Sequence, residues 1–369
     1  MKNRNLGLDV LRGLAMLLVL FHHLDAEHVQ RVLLFSAPLV MVQRSGHIGV
    51  HLFFVLSGFL VTSLLLREWK EHGGVHIGRF LARRGWKIYP SYYVFIIASY
   101  LVLGWEDKTV FQMAGDAFFL QNYLDSAWPH TWSLAVEEHF YLLLAGAFGL
   151  ASYFKKVDLF ARYLPVVGLA YCATATLVKL QSDHLLPPGG GLHLYTHNVI
   201  DGLIYGAVIA SLWCFHEDRL GTFLKRYWFI IAPLTVAMLL PSFVIPVIGG
   251  GIFPGLYSVN YLAFGNLLLL SLLLPDQSVV TSSTLKPVVR ISLAGLAWLG
   301  RYSYSVYLVH CPLAFIINRM LHHSFQFWPL FAVYFVGSVV MGYLFAQVVE
   351  KPSLRLRERY CPRNIDQLL

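Results

Sequence analysis

Apolar stretches about as long as a lipid bilayer is thick recur from one end of this sequence to the other, and that recurrence decides what it can fold into. A membrane span needs about 20 mostly apolar residues. Ten such stretches are read, at 7–24, 48–66, 87–104, 133–153, 163–180, 199–214, 228–245, 256–274, 299–318 and 328–349. In hydrocarbon each backbone polar group must find a partner inside its own segment, so these stretches predict α-helices. Only 13% of the 369 residues are charged, against about 25% in an average soluble domain. The deficit runs along the whole chain, and no segment is long and polar enough for a second soluble domain. The expected fold is all-α: one integral membrane domain over 1–369 with about ten transmembrane helices. Pro233 and Pro312 inside spans, and Pro90 opening another, predict kinks or re-entrant turns. Segment 110–124 is amphipathic and suits the membrane interface.

Charge sets the orientation. With the N-terminus inside, 22 of the 28 Lys and Arg residues fall on the cytoplasmic side, six of them in loop 67–87. The opposite side carries only Arg31, Arg44, Lys108, Lys179 and Arg319, and Arg12 lies inside the first span. The positive-inside rule therefore predicts both termini in the cytoplasm. The net charge of +8 follows from this bias, and no soluble basic face is present to meet nucleic acid. The first span is too long for a cleavable signal peptide, and no small-residue cleavage site follows it. The four cysteines are scattered without a Cys-x-x-Cys, so neither a disulfide framework nor a zinc cage is expected.

Ionisable groups inside spans cost roughly 2.5–3.5 kcal/mol each near the centre, so they face the bundle interior and mark function by default. Arg12 and His23 are eleven residues apart. At about 100° per residue that is nearly three turns, which puts both on one helix face about 16 Å apart. Asp25 lies three residues after His22, and Glu27 four after His23, in reach to orient an imidazole if the helix continues. Snorkelling of Arg12 to the inner headgroups is the plainer alternative.

Three further segments concentrate chemistry. In 48–66, Ser57-Gly58 are small residues of the kind that let helices approach closely. Segment 67–90 ends Arg83-Arg84-Gly-Trp-Lys87-Ile-Tyr-Pro, and Arg84 and Lys87 share a helix face suited to clamping phosphates or anionic headgroups. Segment 128–141 opens the fourth span with Trp128 and Trp132 at belt positions. It then places Glu137-Glu138-His139 one to two turns into an apolar helix, where carboxylates need partners. A His or Arg of the first span is the candidate.

Taken in order, these segments resemble the acyltransferase-3 family of integral membrane O-acyltransferases. The resemblance rests on Arg12-x10-His23, on Gly49-Val-His-Leu-Phe-Phe-Val-Leu-Ser-Gly-Phe59, on Arg83-Arg-Gly-Trp-Lys-Ile-Tyr-Pro90 and on Thr131-Trp-Ser-Leu-Ala-Val-Glu-Glu138. Asp201-Gly-Leu, the Tyr307 and His310 region and Glu350-Lys-Pro match more loosely, and together the matches span nearly the whole chain. Three positions depart from the family pattern. Lys87 stands where the second Arg of an Arg-x-x-Arg is usual, His51 where an acid is common, and Val199 where an Arg often precedes the Asp.

The resemblance implies transfer of an acyl group, acetyl by family habit, from cytoplasmic acyl-CoA to a hydroxyl of a carbohydrate or other glycosylated acceptor. In a bacterium it implies the inner membrane, with lipid as the surrounding partner. It implies His23 as general base or covalent acyl carrier, with Arg12, Glu138 and Glu137 as its catalytic companions. Arg83, Arg84 and Lys87 would bind the donor phosphates, and Trp132, Asp201, Ser57 and His310 the acceptor. No metal is expected, since no His-Glu-x-x-His occurs among the 16 histidines. The rival reading is a transporter, which also carries charges on several spans. The absence of a detectable internal repeat weighs against it.

Overall fold

The computed structural model describes residues 5–23, 37–103, 109–124, 126–182, 194–245, 255–273, 287–321 and 327–362. Every regular element among them is helical. The first helices are α1 (Leu6–His22), α2 (Ala37–Ser45), α3 (Ile48–His72), α4 (Ile77–Leu103) and the short α5 (Val110–Ala117). A 3-10 turn, Pro129–Thr131, leads into α6 (Trp132–Tyr153), followed by α7 (Val157–Ser182), α8 (Thr196–Val199) and α9 (Asp201–Val244). The chain continues through α10 (Gly255–Leu272), α11 (Pro287–Leu321) and α12 (Phe327–Phe345), then a π-helical turn, Ala346–Glu350, and α13 (Lys351–Tyr360).

Six of these helices are long and apolar enough to cross a membrane: α3, α6, α7, α9, α10 and the one running from α12 into α13. They hold seven of the ten apolar stretches, because α9 carries most of both 199–214 and 228–245. The other three stretches lie on α1, α4 and α11. The expected loop 215–227 is helical, and the break in α9 falls at His216 (φ −135°, ψ 27°) rather than at Pro233. Pro90 and Pro312 lie inside helices that continue past them.

The basic loop expected at 67–87 is also mostly helix. Only residues 73–76 interrupt it. Charged side chains do not end a helix; the left-handed Gly73 (φ 70°) does. Glu68 then ties the two helix ends together, accepting from the His76 amide at 3.1 Å and from Arg79 at 2.5 Å. Segment 110–124 is shorter as a helix than its amphipathic pattern suggested. Thr109 and Gln112 form a capping box for α5. The buried Asp116 then anchors the turn that follows: its carboxylate accepts from Tyr100 Oη at 2.9 Å and from the Ala127 amide at 3.0 Å.

The chain divides into two compact units, residues 1–67 with 158–303 and residues 68–157 with 304–369. In the first unit α3 and α9 cross where neither has a side chain. A Cβ at Gly58 would strike the Leu203 carbonyl, and one at Gly206 the Val55 carbonyl. Small residues at such a crossing let two backbones touch, which is the packing role read for Ser57-Gly58. In the second unit the Trp86 ring stacks on Tyr360 of α13 at 6.3 Å, and Ser353 Oγ donates to the Trp86 carbonyl at 2.5 Å.

Candidate active site

In the first unit a strip of polar rings starts at His23, the residue that follows the last turn of α1. Asn5 caps the other end of this helix by accepting from the Leu8 amide at 3.1 Å. Arg12 lies 3.3 Å from the buried Asp9, one turn earlier on the same helix. His23 Nδ1 donates to the Val19 carbonyl at 2.9 Å. A carbonyl only accepts, so the proton of the neutral ring is on Nδ1 and the basic lone pair is on Nε2. The orienting group for His23 is thus its own helix backbone. Asp25 and Glu27, which the sequence offered for that task, lie outside the described residues.

The strip continues through ring pairs. His23 meets His22 at 5.3 Å, His22 meets His47 at 5.7 Å, and His47 meets His51 at 5.8 Å. His51 in turn lies 4.6 Å from Tyr257 and 5.1 Å from Tyr261, measured between ring centroids. Lys179 Nζ sits 5.8 Å and 5.6 Å from the same two tyrosine rings, within cation–π range. The strip ends in an ion pair, Lys179 Nζ to Asp201 Oδ2 at 2.6 Å, with side chains only 7% and 1% exposed.

Helix ends assemble this cluster. Asp201 is the first residue of α9, where a carboxylate is favoured by the helix dipole. Gly202 follows it, and a Cβ there would run into the Tyr261 ring. The sequence counted Lys179 among the charges flanking the spans on the outer side, and noted that Val199 leaves Asp201 without its usual Arg. In the structure a cation reaches Asp201 all the same, from α7. The signal for it was a lysine at the end of an apolar stretch, where burial demands a partner. Asp9 was missed too, although it precedes Arg12 by the three residues that bring two side chains together on a helix.

The second unit holds the remaining candidates. Arg83 pairs bidentately with Glu358 (2.8 and 3.3 Å) and also donates to the Cys361 carbonyl. Lys87 pairs with the buried Glu350, which also accepts from Ser305 Oγ at 2.6 Å. The π-helical turn carries Glu350, and such turns re-aim a single residue within a helix. Arg84 lies over the Tyr141 ring at 5.2 Å. Tyr141 donates to Glu137 at 2.8 Å, and Tyr89 donates to Glu138 at 3.0 Å. The basic motif and the Glu137-Glu138 pair are therefore neighbours in this unit.

Trp132 opens α6, half-buried, and the next residue enters a buried network. Ser133 Oγ and Tyr307 Oη are 2.8 Å apart, and Tyr307 Oη donates to the His130 carbonyl at 2.6 Å. His310, fully buried, is held through Nδ1 by the Tyr307 carbonyl at 2.6 Å, and its ring lies 5.1 Å from His130. Ser57 sits half-buried on α3 beside the Gly58 crossing.

A helical membrane chain with an oriented histidine and buried ion pairs fits an integral membrane group-transfer enzyme. The sequence matches the acyltransferase-3 family, described as an acyltransferase domain, over residues 5–347, and the chain belongs to that family. It is similar to the peptidoglycan O-acetyltransferase OatA of Listeria monocytogenes, with 26% identity over 339 residues covering 85% of this chain and 50% of that protein. It is also similar to the O-acetyltransferase OatA of Staphylococcus aureus, with 23% identity over 335 residues covering 85% of this chain and 51% of that one. The chain spans about half the length of these curated relatives. No solved structure matches it. The family and the long apolar helices make it a multi-pass membrane protein, and the transporter reading is not favoured.

Proposed function

We propose that this chain transfers an acyl group, acetyl in the simplest case, from acyl-CoA to a hydroxyl of a cell-envelope glycan, with His23 as general base. The observation that carries this reading is the Nδ1 hydrogen bond from His23 to the Val19 carbonyl at 2.9 Å, which puts the basic lone pair on Nε2. The names of the two relatives support O-acetylation, and one of them names peptidoglycan as the acceptor.

In this reading ten spans run with both termini inside, at the inner membrane of a bacterium. The acyl-CoA phosphates approach the basic motif. Arg84 is the strongest donor contact, because it makes no ion pair among the described residues, whereas Arg83 and Lys87 are already held by Glu358 and Glu350. His23 Nε2 removes the proton from the acceptor hydroxyl as its oxygen attacks the thioester carbonyl. The carbon–sulfur bond then breaks, and the CoA thiolate leaves with the proton from the imidazolium. Arg12, paired with Asp9, brings positive charge to the helix face of His23. Glu137 and Glu138 hold the tyrosines beside the donor cations, and Trp132, Ser57 and His310 contribute acceptor contacts.

The test is transfer of label from acetyl-CoA in isolated membranes to ester-linked acetate on glycan. Wild-type chain gives label that mild base releases, and His23→Ala at equal abundance gives none. Full labelling with His23→Ala rules the scheme out.

A further inference from the structure

Arg83 of α4 and Arg357 of α13 converge on one carboxylate, that of Glu358. Arg83 reaches it with both terminal nitrogens, Nη2 to Oε1 at 2.8 Å and Nη1 to Oε2 at 3.3 Å. Arg357 donates to Oε1 as well, from Nε at 2.9 Å and from Nη2 at 2.6 Å. Two guanidinium forks around one anionic oxygen match the geometry in which arginines hold phosphate. Contacts that do not involve Glu358 hold α13 over the basic motif: the Tyr360 ring stacks on Trp86, and Ser353 donates to the Trp86 carbonyl. Arg83 is further oriented by the Cys361 carbonyl. The packing of two helices thus sets the fork, and Glu358 is the anion that fills it.

Glu358 is a replaceable occupant. Its side chain is 49% exposed, while those of Arg83 and Arg357 are 21% and 23% exposed. A carboxylate that reaches water is readily released, because exposed ion pairs contribute little. A phosphate monoester brings about 1.5–2 negative charges and three acceptor oxygens to the same forks. Glu358 brings one charge and two oxygens. Two guanidinium groups against one carboxylate also leave the cluster net positive, so it still attracts an anion. The cluster is open to solvent, and an incoming phosphate needs no buried cavity to reach it.

We propose that Arg83 and Arg357 form a phosphate clamp, and that Glu358 keeps it closed until a phosphate monoester displaces the carboxylate. Half of the clamp then lies outside the basic motif, on α13, and the same helix carries its internal competitor. This deepens the acyltransfer reading, on which it rests, because the ribose 3′-phosphate of acyl-CoA is such a monoester. Phosphatidic acid at the membrane surface offers the same group, and the experiment separates the two sources.

The experiment is equilibrium binding of radiolabelled adenosine 3′,5′-bisphosphate to the full chain in phosphatidylcholine nanodiscs. Glu358→Gln removes the competing charge and should tighten binding about two- to five-fold, the range for an exposed ion pair. Arg357→Gln should weaken binding about tenfold or more, as expected for a lost charge-assisted contact. Arg355→Gln, two residues away on the same helix, should change it by less than about twofold. Equal losses in Arg355→Gln and Arg357→Gln mean a diffuse basic surface and overturn the clamp. Unchanged or weaker binding in Glu358→Gln overturns the role of the carboxylate, and the proposal with it. The lipid arm adds phosphatidic acid to the nanodiscs and follows the melting temperature. If wild type binds no nucleotide, yet melts higher with phosphatidic acid, and Arg357→Gln loses that rise, the clamp stands with lipid as its source. The donor contact of Arg83 in the acyltransfer reading then falls. Neither nucleotide binding nor a lipid-dependent rise overturns the proposal. Nucleotide binding with the expected shifts, in a chain that transfers no acetyl label, upholds the clamp and sinks the acyltransfer reading instead.

Discussion

Tyr89 donates a hydrogen bond to Glu138 at 3.0 Å, joining the basic motif of α4 to the carboxylate that α6 buries. The other oxygen of Glu138, Oε1, is buried without a partner among the described residues, so Tyr89 is the main satisfaction this carboxylate has. Tyr89→Phe should therefore destabilise the chain by about 1–3 kcal/mol, the cost of orphaning a buried acceptor. Removing both partners is milder than removing one. Tyr89→Phe/Glu138→Leu should melt closer to wild type than Tyr89→Phe alone while recovering no acetyl transfer. A double variant that melts lower than the single one contradicts this account of the pair.

Lys87 and Glu350 set up a second asymmetric pair. Glu350 is nearly buried and Lys87 about one-third exposed. Lys87→Ala leaves Glu350 with Ser305 as its named partner, at an expected cost of about 1–3 kcal/mol. Adding Glu350→Gln, which keeps an acceptor for Ser305 and removes the charge, should restore most of the melting temperature. If Lys87 serves the donor, the restored protein still shows a raised KM for acetyl-CoA. A KM equal to wild type would leave Lys87 a purely structural role.

The helices were legible because bilayer-length apolar stretches have few other solutions, and each of the ten read from sequence falls on a helix. What the sequence hid was continuity. Helices α3, α4 and α9 carry their charged residues without stopping, so the segments around Arg67 and Arg219 looked like loops. Partnerships were hidden for a related reason. Helix phase relates residues on one helix, such as Arg12 and His23, but cannot say that Lys179 of α7 meets Asp201 of α9, or that Tyr89 meets Glu138. Those meetings depend on where helices cross, and glycines such as Gly58 and Gly202 decide that.

His23 has two distinguishable nitrogens, and substitutions can address them separately. His23→Asn keeps a side-chain N–H close to the backbone, in reach of the Val19 carbonyl, and provides no base at the Nε2 position. Abundance and melting should stay near wild type while acetyl transfer falls by about 10²–10⁴, the range for losing a general base. Label transfer in membranes containing equal amounts of each protein measures it. Transfer within a few fold of wild type would mean that the oriented lone pair is not what the reaction uses.

Gly58 and Gly146 give opposite outcomes for the same replacement. A Cβ at Gly58 would strike the Leu203 backbone carbonyl, and backbone cannot turn aside as a side chain can. Gly58→Ala must push α3 and α9 apart, so it should cost about 1–3 kcal/mol, the price of overpacking. The same displacement shifts Asp201, two residues before Leu203, and should weaken transfer as well. At Gly146, in α6, a Cβ meets nothing within 4 Å. Gly146→Ala should raise the melting temperature, since alanine is favoured over glycine in a helix interior by about 1 kcal/mol. Melting both variants in nanodiscs checks the pair, and a Gly58→Ala protein that melts like wild type would show that the crossing is looser than its geometry implies.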